Sequence, residues 1–250
     1  MKIFDYFCRC DFKTVIMKKF GTFFIKAAAV AMLLALPVIS YAQVRKSVSI
    51  LGDSYSTYEG ISQPATNKMW YLIGEDKPEK TDVKSPTQTW WHQFIKENGY
   101  KLERNNSYSG ATVCTTGYRG DDYTDRAFIT RMDDLGSPDI LFIFGATNDS
   151  WANSPIGEFV WSDWTTEQLK SFRPALAYML SHIVDRYPNV ELMYLINDGL
   201  KPEITESIIE ACNHYGVPYL QLEGIDKTAG HPNVKGMRQI TDQINAAIKK

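Results

Sequence analysis

Four short stretches, far apart in the chain, carry side chains that together could hydrolyse an ester. Ser54, in Ile50-Leu51-Gly52-Asp53-Ser54-Tyr55-Ser56, offers a hydroxyl directly after a short apolar run. Ser107-Tyr108-Ser109-Gly110 offers a glycine whose N–H can approach a charged oxygen closely. Gly145-Ala146-Thr147-Asn148-Asp149 offers an amide side chain that can donate to the same oxygen, and His231-Pro232-Asn233 offers an imidazole base. A serine hydroxyl is a weak nucleophile until a base within hydrogen-bond reach takes its proton, and the oxyanion formed on attack needs fixed donors. Read singly, each block has an ordinary explanation. Serine after a strand caps a helix or fills a turn, glycine makes a turn, and asparagine bonds its own backbone. Read together, they supply a nucleophile, two donors and a base.

For these groups to meet, each must follow a strand of one sheet. Val48, Ile50 and Leu51 read as a buried strand, and Gly52 permits a sharp turn at its end. Residues 102–107 form a second strand. The unbroken apolar run 138–144 has the composition of a central parallel strand, and 191–196 and 219–222 supply two more. Helical spacing recurs over 87–98, 127–132, 166–187, 202–215 and 233–250. Strands alternating with helices predict an α/β fold, a three-layer α/β/α sandwich around a five-stranded parallel sheet. Such sheets place ligands at their carboxyl edge.

The four blocks, in this order and each beside a strand end, resemble those of the SGNH hydrolases, the GDSL-type esterases and lipases, over nearly all of the chain from about Lys46 onward. The resemblance implies the flavodoxin-like strand order 2-1-3-4-5. It assigns Ser54 as nucleophile and His231 as base. The oxyanion hole would comprise the Ser54 N–H, the Gly110 N–H and the Asn148 amide, with Asp149 bracing its loop; no cofactor is expected. The sequence departs from the family at the third triad member. The family has Asp three residues before the histidine, and here that residue is Thr228. Asp226 reaches the imidazole only if the loop bulges; otherwise a backbone carbonyl orients the ring. An aspartate there fixes the tautomer and stabilises the imidazolium, so its absence lowers turnover without changing the reaction class. Ser56 stands where the elbow of the larger α/β-hydrolases requires glycine, which separates the chain from that fold.

The long polar stretch 57–86 is expected to overhang the site. Its Trp70 and Tyr71 either wall the substrate or pin the stretch to the core. Trp151, three residues past Asn148, is placed at the pocket. Phe159, Trp161 and Trp164 either stack on sugars and line an acyl pocket, or fold inward as a small satellite core.

At the N-terminus, Lys18-Lys19, the apolar run 27–36 and Ser40-Tyr41-Ala42 predict a signal peptide over residues 1–42, with Met17 as a possible true start. A retained amphipathic or anchoring helix is the other reading. Cleavage after Ala42 exports a single domain, 43–250, to the periplasm or the exterior. It also removes six basic and two acidic side chains, leaving 21 Lys and Arg against 27 Asp and Glu. A mildly acidic chain without a basic stripe argues against nucleic acid as a partner and against a stable membrane anchor after cleavage. Cys114 and Cys212 remain; an exported compartment would allow them to pair, and two separate buried thiols are the other reading. The four histidines fall at no zinc-ligand spacing, so no metal is expected.

The expected activity is that of a secreted serine esterase working through an acyl-enzyme on a small-molecule or glycan ester, deacetylating a carbohydrate. The alternatives are an acylhydrolase for lipid, thioester or aryl ester substrates, and a non-catalytic carbohydrate-binding relative that has lost its triad acid.

Overall fold

The computed structural model describes residues 45–248, so the predicted signal peptide lies outside the described residues. Five strands, β1 (Ser47–Gly52), β2 (Lys101–Ser107), β3 (Ile140–Phe144), β4 (Glu191–Ile196) and β5 (Tyr219–Gln221), form one parallel sheet in the order β2-β1-β3-β4-β5. Helices α1 (Trp90–Glu97) and α6 (Val234–Ile248) cover one face. Helices α2 (Phe128–Arg131), α4 (Phe172–Arg186) and α5 (Pro202–Tyr215) cover the other. The short α3 (Thr147–Ala152) follows β3 at the carboxyl edge.

With both faces covered, β1 and β3 are buried at every residue, and their alternating side chains feed two cores. Val48, Ile50, Phe142 and Phe144 pack with Trp90, Phe94, Met237 and Ile240. Leu51, Leu141 and Ile143 pack with Phe172, Leu176 and Leu180. In the parallel register Gly52 lies opposite both Ser107 and Phe144. Three strands therefore end in line, and the segments carrying Ser54, Gly110 and Asn148 leave the sheet side by side.

Three elements differ from expectation. Helix α4 starts at Phe172, not near 166, because Ser171 is extended and Pro174, lacking an N–H, fits only in a first turn. Residues 168–170 form a separate 3-10 turn. The stretch 57–86 has no long element, yet it is fastened down. Tyr58, Tyr71 and Val83 are buried, Gln63 N–H donates to Asn105 O at 2.8 Å, and Ser109 N–H donates to Lys68 O at 2.8 Å. Finally, His231 lies in an antiparallel hairpin, β6 (Lys227–Thr228) and β7 (His231–Pro232). Its two-residue turn places Ala229 (φ 48°) and Gly230 (φ 76°) in the left-handed region, as twist-matched hairpin turns require. Cys114 and Cys212 are both free and buried; burial raises both thiols, Cys212 to about 12.

Candidate active site

Ser54 opens a 3-10 turn directly after β1. Asp53 caps that turn by accepting the Tyr55 N–H on Oδ1 at 3.0 Å, while its own N–H is tied to Phe144 O at 3.1 Å. Glycine is required at the strand end: a Cβ on Gly52 would stand 2.4 Å from Ser107 Oγ and 2.8 Å from Ser56 Cβ. The sheet and the turn thus fix the serine from two sides.

His231 Nε2 lies 2.9 Å from Ser54 Oγ, and His231 Nδ1 lies 3.0 Å from Ala229 O. A carbonyl can only accept, so Nδ1 holds the proton and the lone pair of Nε2 faces the hydroxyl. That is the tautomer a general base needs. The His231 imidazole is pushed down to about 4. Burial is the main cause; the Ala229 carbonyl opposes it, and the Lys80 and Lys227 ammonium groups add to it. The base is accordingly neutral across the ordinary pH range.

Asp226 is not brought to the imidazole. Its carboxylate pairs with Lys235 Nζ at 2.7 Å and accepts from Asn233 Nδ2 at 2.7 Å, contacts that lower its pKa. No bulge turns it inward, because the hairpin runs regularly and the carbonyl of Ala229 already occupies Nδ1. The orienting group is therefore main chain.

The hairpin is held by hydroxyls from the β1 side. Tyr55 Oη donates to Gly230 O at 2.6 Å and Tyr71 Oη donates to Pro232 O at 2.7 Å. Asn197 Nδ2 reaches Tyr55 Oη at 3.4 Å and Thr147 Oγ1 at 3.3 Å, and Lys227 Nζ donates to Asn197 Oδ1 at 3.2 Å. Tyr71 is fully buried, so it fastens the long stretch to the core and does not wall a substrate. Trp70 is likewise committed: its indole stacks on the His231 imidazole with centroids 3.5 Å apart and planes at 8°. Trp151 is 43% exposed and meets the same imidazole edge-on at 5.8 Å. It is the one of the three predicted contacts with a large open surface.

Asn148 sits in α3, two residues after Ala146 in the left-handed region (φ 75°). Its Nδ2 donates to Ala111 O at 3.0 Å, and its Oδ1 accepts the Tyr118 hydroxyl at 2.9 Å. The orientation of the amide is thus fixed, and one N–H of its NH₂ group remains to donate. Burial raises the Tyr118 phenol to about 12, which keeps it a donor. The Ser54 and Gly110 N–H groups have no acceptor among the described residues. Asp149, raised by burial to about 6, accepts the Val113 N–H on both oxygens (2.8 and 3.0 Å) and the Cys114 N–H at 3.3 Å, which ties the segment after Gly110 to α3.

Two further buried charges lie under the site. Burial raises Asp53 to about 7, and burial lowers Arg131 to about 9. Arg131 donates to Gly52 O at 3.1 Å, Asn106 O at 2.5 Å and Arg126 O at 2.7 Å, joining the ends of β1 and β2. The aromatic residues after α3 mostly satisfy one another. Trp161 stacks between Phe159 (4.4 Å) and His214 (3.9 Å), and Trp164 meets Tyr178 edge-on at 5.4 Å. They form the inward satellite reading and leave no open sugar platform on Trp161. Among the described residues no cluster of His, Cys, Asp and Glu is placed to hold a metal, and no helix is long and apolar enough to cross a membrane.

Sequence reasoning missed Tyr55, Tyr118, Ala229 and Arg131. Only Tyr118 left a usable signal: a tyrosine between two turn glycines, Gly117 and Gly120, on the active edge.

A strand-end serine facing a buried neutral imidazole at the carboxyl edge of a 2-1-3-4-5 sheet defines a serine hydrolase on a three-layer sandwich. A family model described as GDSL-like lipase/acylhydrolase matches residues 46–248. A GDSL-like lipase from Bacteroides ovatus is 58% identical, with a TM-score of 0.81 over 83% of this chain and 99% of that one. Another from Bacteroides uniformis is 50% identical, with a TM-score of 0.81 over 84% and 98%. A family two carbohydrate esterase from Clostridium thermocellum, solved in complex with cellohexaose, shares the fold at 15% identity and a TM-score of 0.55, over 82% of this chain and 64% of that one. No curated protein matches the chain. The chain belongs to the GDSL-like lipase and acylhydrolase family, the SGNH ester hydrolases.

Proposed function

We propose that this ester hydrolase is exported and removes a small acyl group, acetyl, from a carbohydrate hydroxyl. The observation that carries the catalytic part is the 2.9 Å approach of Ser54 Oγ to a His231 Nε2 whose ring is set by the Ala229 carbonyl. In this reading Ser54 Oγ attacks the ester carbonyl as its proton passes to His231 Nε2. The oxyanion is met by the Ser54 N–H, the Gly110 N–H and the free N–H of Asn148. His231 then returns the proton to the departing sugar oxygen, and water, activated by the same imidazole, releases the acid from Ser54. Losing one oxyanion donor costs roughly 3–4 kcal/mol of transition-state stabilisation.

The sugar assignment is supported by Trp151. Its indole is open to solvent and adjoins the base that must serve the leaving alcohol, where a flat apolar face suits the C–H face of a pyranose. The carbohydrate esterases that share the fold indicate that it can host this reaction. Export is supported by the basic start, short apolar run and small residues of the segment 1–42. The test compares turnover of an acetylated xylo-oligosaccharide with turnover of a long-chain p-nitrophenyl ester. Faster deacetylation of the glycan is expected, and preference for the long chain would assign a lipid acylhydrolase. No turnover of either ester, with no labelling of Ser54 by a fluorophosphonate, would assign a binding protein. Export predicts a mature chain that begins at Gln43 in the periplasmic or extracellular fraction.

A further inference from the structure

With His231 Nδ1 facing a carbonyl, nothing anionic among the described residues answers the charge that the ring acquires when it takes the serine proton. The structure shows what lies against it instead. Trp70 covers the imidazole face to face, 3.5 Å between centroids and 8° between planes. The Lys80 ammonium lies over the same indole, 4.8 Å from its centroid, and is itself held by Glu75 at 2.5 Å. Tyr55 and Trp151 meet the ring by their edges, at 5.3 and 5.8 Å.

We propose that Trp70 is the positioning residue of the base: its indole fixes the plane of the His231 ring and is the charge partner of the imidazolium, in place of the carboxylate that Thr228 replaces. The proposal rests on the reading of Ser54 and His231 as nucleophile and base. Indole is the strongest of the aromatic partners for a cation, and such contacts strengthen when water is excluded, as it is around a histidine only 6% exposed. The position is also built. Trp70 N–H donates to Thr57 Oγ1 at 2.9 Å, and its neighbour Tyr71 is tied to Pro232 O, so the indole and the hairpin are set by one short segment. The charged groups bearing on the ring are Lys80, paired with Glu75, and Lys227, paired with Asp198; both are positive and neither can stabilise the imidazolium. Lys80 also contacts the indole, and with Lys227 it adds to the burial that keeps the resting imidazole neutral.

The experiment titrates His231 by NMR in the Ser54→Ala protein, with Trp70 intact, Trp70→Phe and Trp70→Leu. If the indole only shields the ring from water, trimming it readmits water and the midpoint rises. If the indole is the charge partner, the midpoint falls, furthest for leucine and part-way for phenylalanine, which keeps an aromatic face. In the active enzyme the leucine variant should lose roughly tenfold to thirtyfold in kcat, with KM little changed and phenylalanine between. A midpoint that rises or stays put on Trp70→Leu, or a loss confined to KM, overturns the proposal. Phenylalanine is the variant that keeps the packing if leucine does not fold. The titration needs no turnover, so a protein that hydrolyses no ester would refute the esterase reading while the midpoint still decides the pairing.

Discussion

A histidine whose Nδ1 rests on a carbonyl is oriented as well as one resting on an aspartate, but it is not charged by the same field. His231 is therefore a weak base by affinity and a ready one by availability, because it stays deprotonated down to about 4. The sign follows directly: the free enzyme loses its base only as pH falls through the folded value. The acidic limb of kcat/KM is expected near pH 4, well below the roughly 6.5 of an ordinary histidine, and a pH–rate profile checks it. Stability moves the same way. Between those values the unfolded chain binds the extra proton, so His231 contributes a loss of stability as pH falls across that window. Asp226→Asn, in contrast, should keep kcat near that of the parent, whereas Ser54→Ala should abolish it; steady-state kinetics on p-nitrophenyl acetate separates them. Tyr118→Phe unpins the Asn148 amide, and a decrease of about tenfold in kcat at unchanged KM is expected, the size of one buried hydrogen bond. The structure brings Ser54 and His231 together, and the blocks that carry them, with those of Gly110 and Asn148, were legible in the sequence from residue type and order. The orienting carbonyl was not, since every residue has one and only the hairpin geometry selects Ala229.

At the level of elements, the hairpin is the piece that brings a residue 177 positions away onto Ser54. It was invisible because its turn is Ala-Gly, without the Asn-Gly or Asp-Gly that marks such turns. Helix α6 backs it closely: a Cβ on Gly236 would stand 2.0 Å from Asp226 O, in the residue just before β6. Gly236→Ala must therefore push helix and hairpin apart. We expect a loss of roughly 1–3 kcal/mol, as for overpacked sites, read as a fall in the denaturant midpoint, together with a fall in kcat because His231 moves with β6. Strands β1, β3, β4 and β5 were legible from apolar runs, β2, which has Leu102 as its one apolar residue, from its place before the Ser109-Gly110 loop, and α5 from its proline start and its periodicity. The start of α4 was misplaced because its apolar stripe continues backward through Leu169, while Pro174, the residue that sets the true boundary, lies inside the stripe.

Across the described residues, two apolar cores grip one sheet, and its carboxyl rim encloses several polar side chains together, Asp53, Ser54, Thr147 and Asn148 among them. Nothing covalent is needed to hold that arrangement. Cys114 and Cys212 sit apart as free thiols, both raised by burial, so a reductant is expected to leave the thermal midpoint unchanged in a melting experiment. The layer architecture followed from the alternation of strands and helices. The fastening of the stretch 57–86 followed only in part: Tyr71 as a pin to the core was one of two readings, whereas Tyr58 and Val83 are isolated apolar residues in polar surroundings with no period to reveal them.

The carbonyl that sets the histidine ring has a consequence for how this protein can change over generations. An aspartate in that role is one codon, and a single nucleotide exchange can erase it. A peptide oxygen is specified by no codon at all, so replacing the side chain at residue 229 leaves it in place as long as the bend survives. Disabling it requires a change of backbone shape, which exposes the enzyme to inserted or deleted residues in the hairpin far more than to substitutions there.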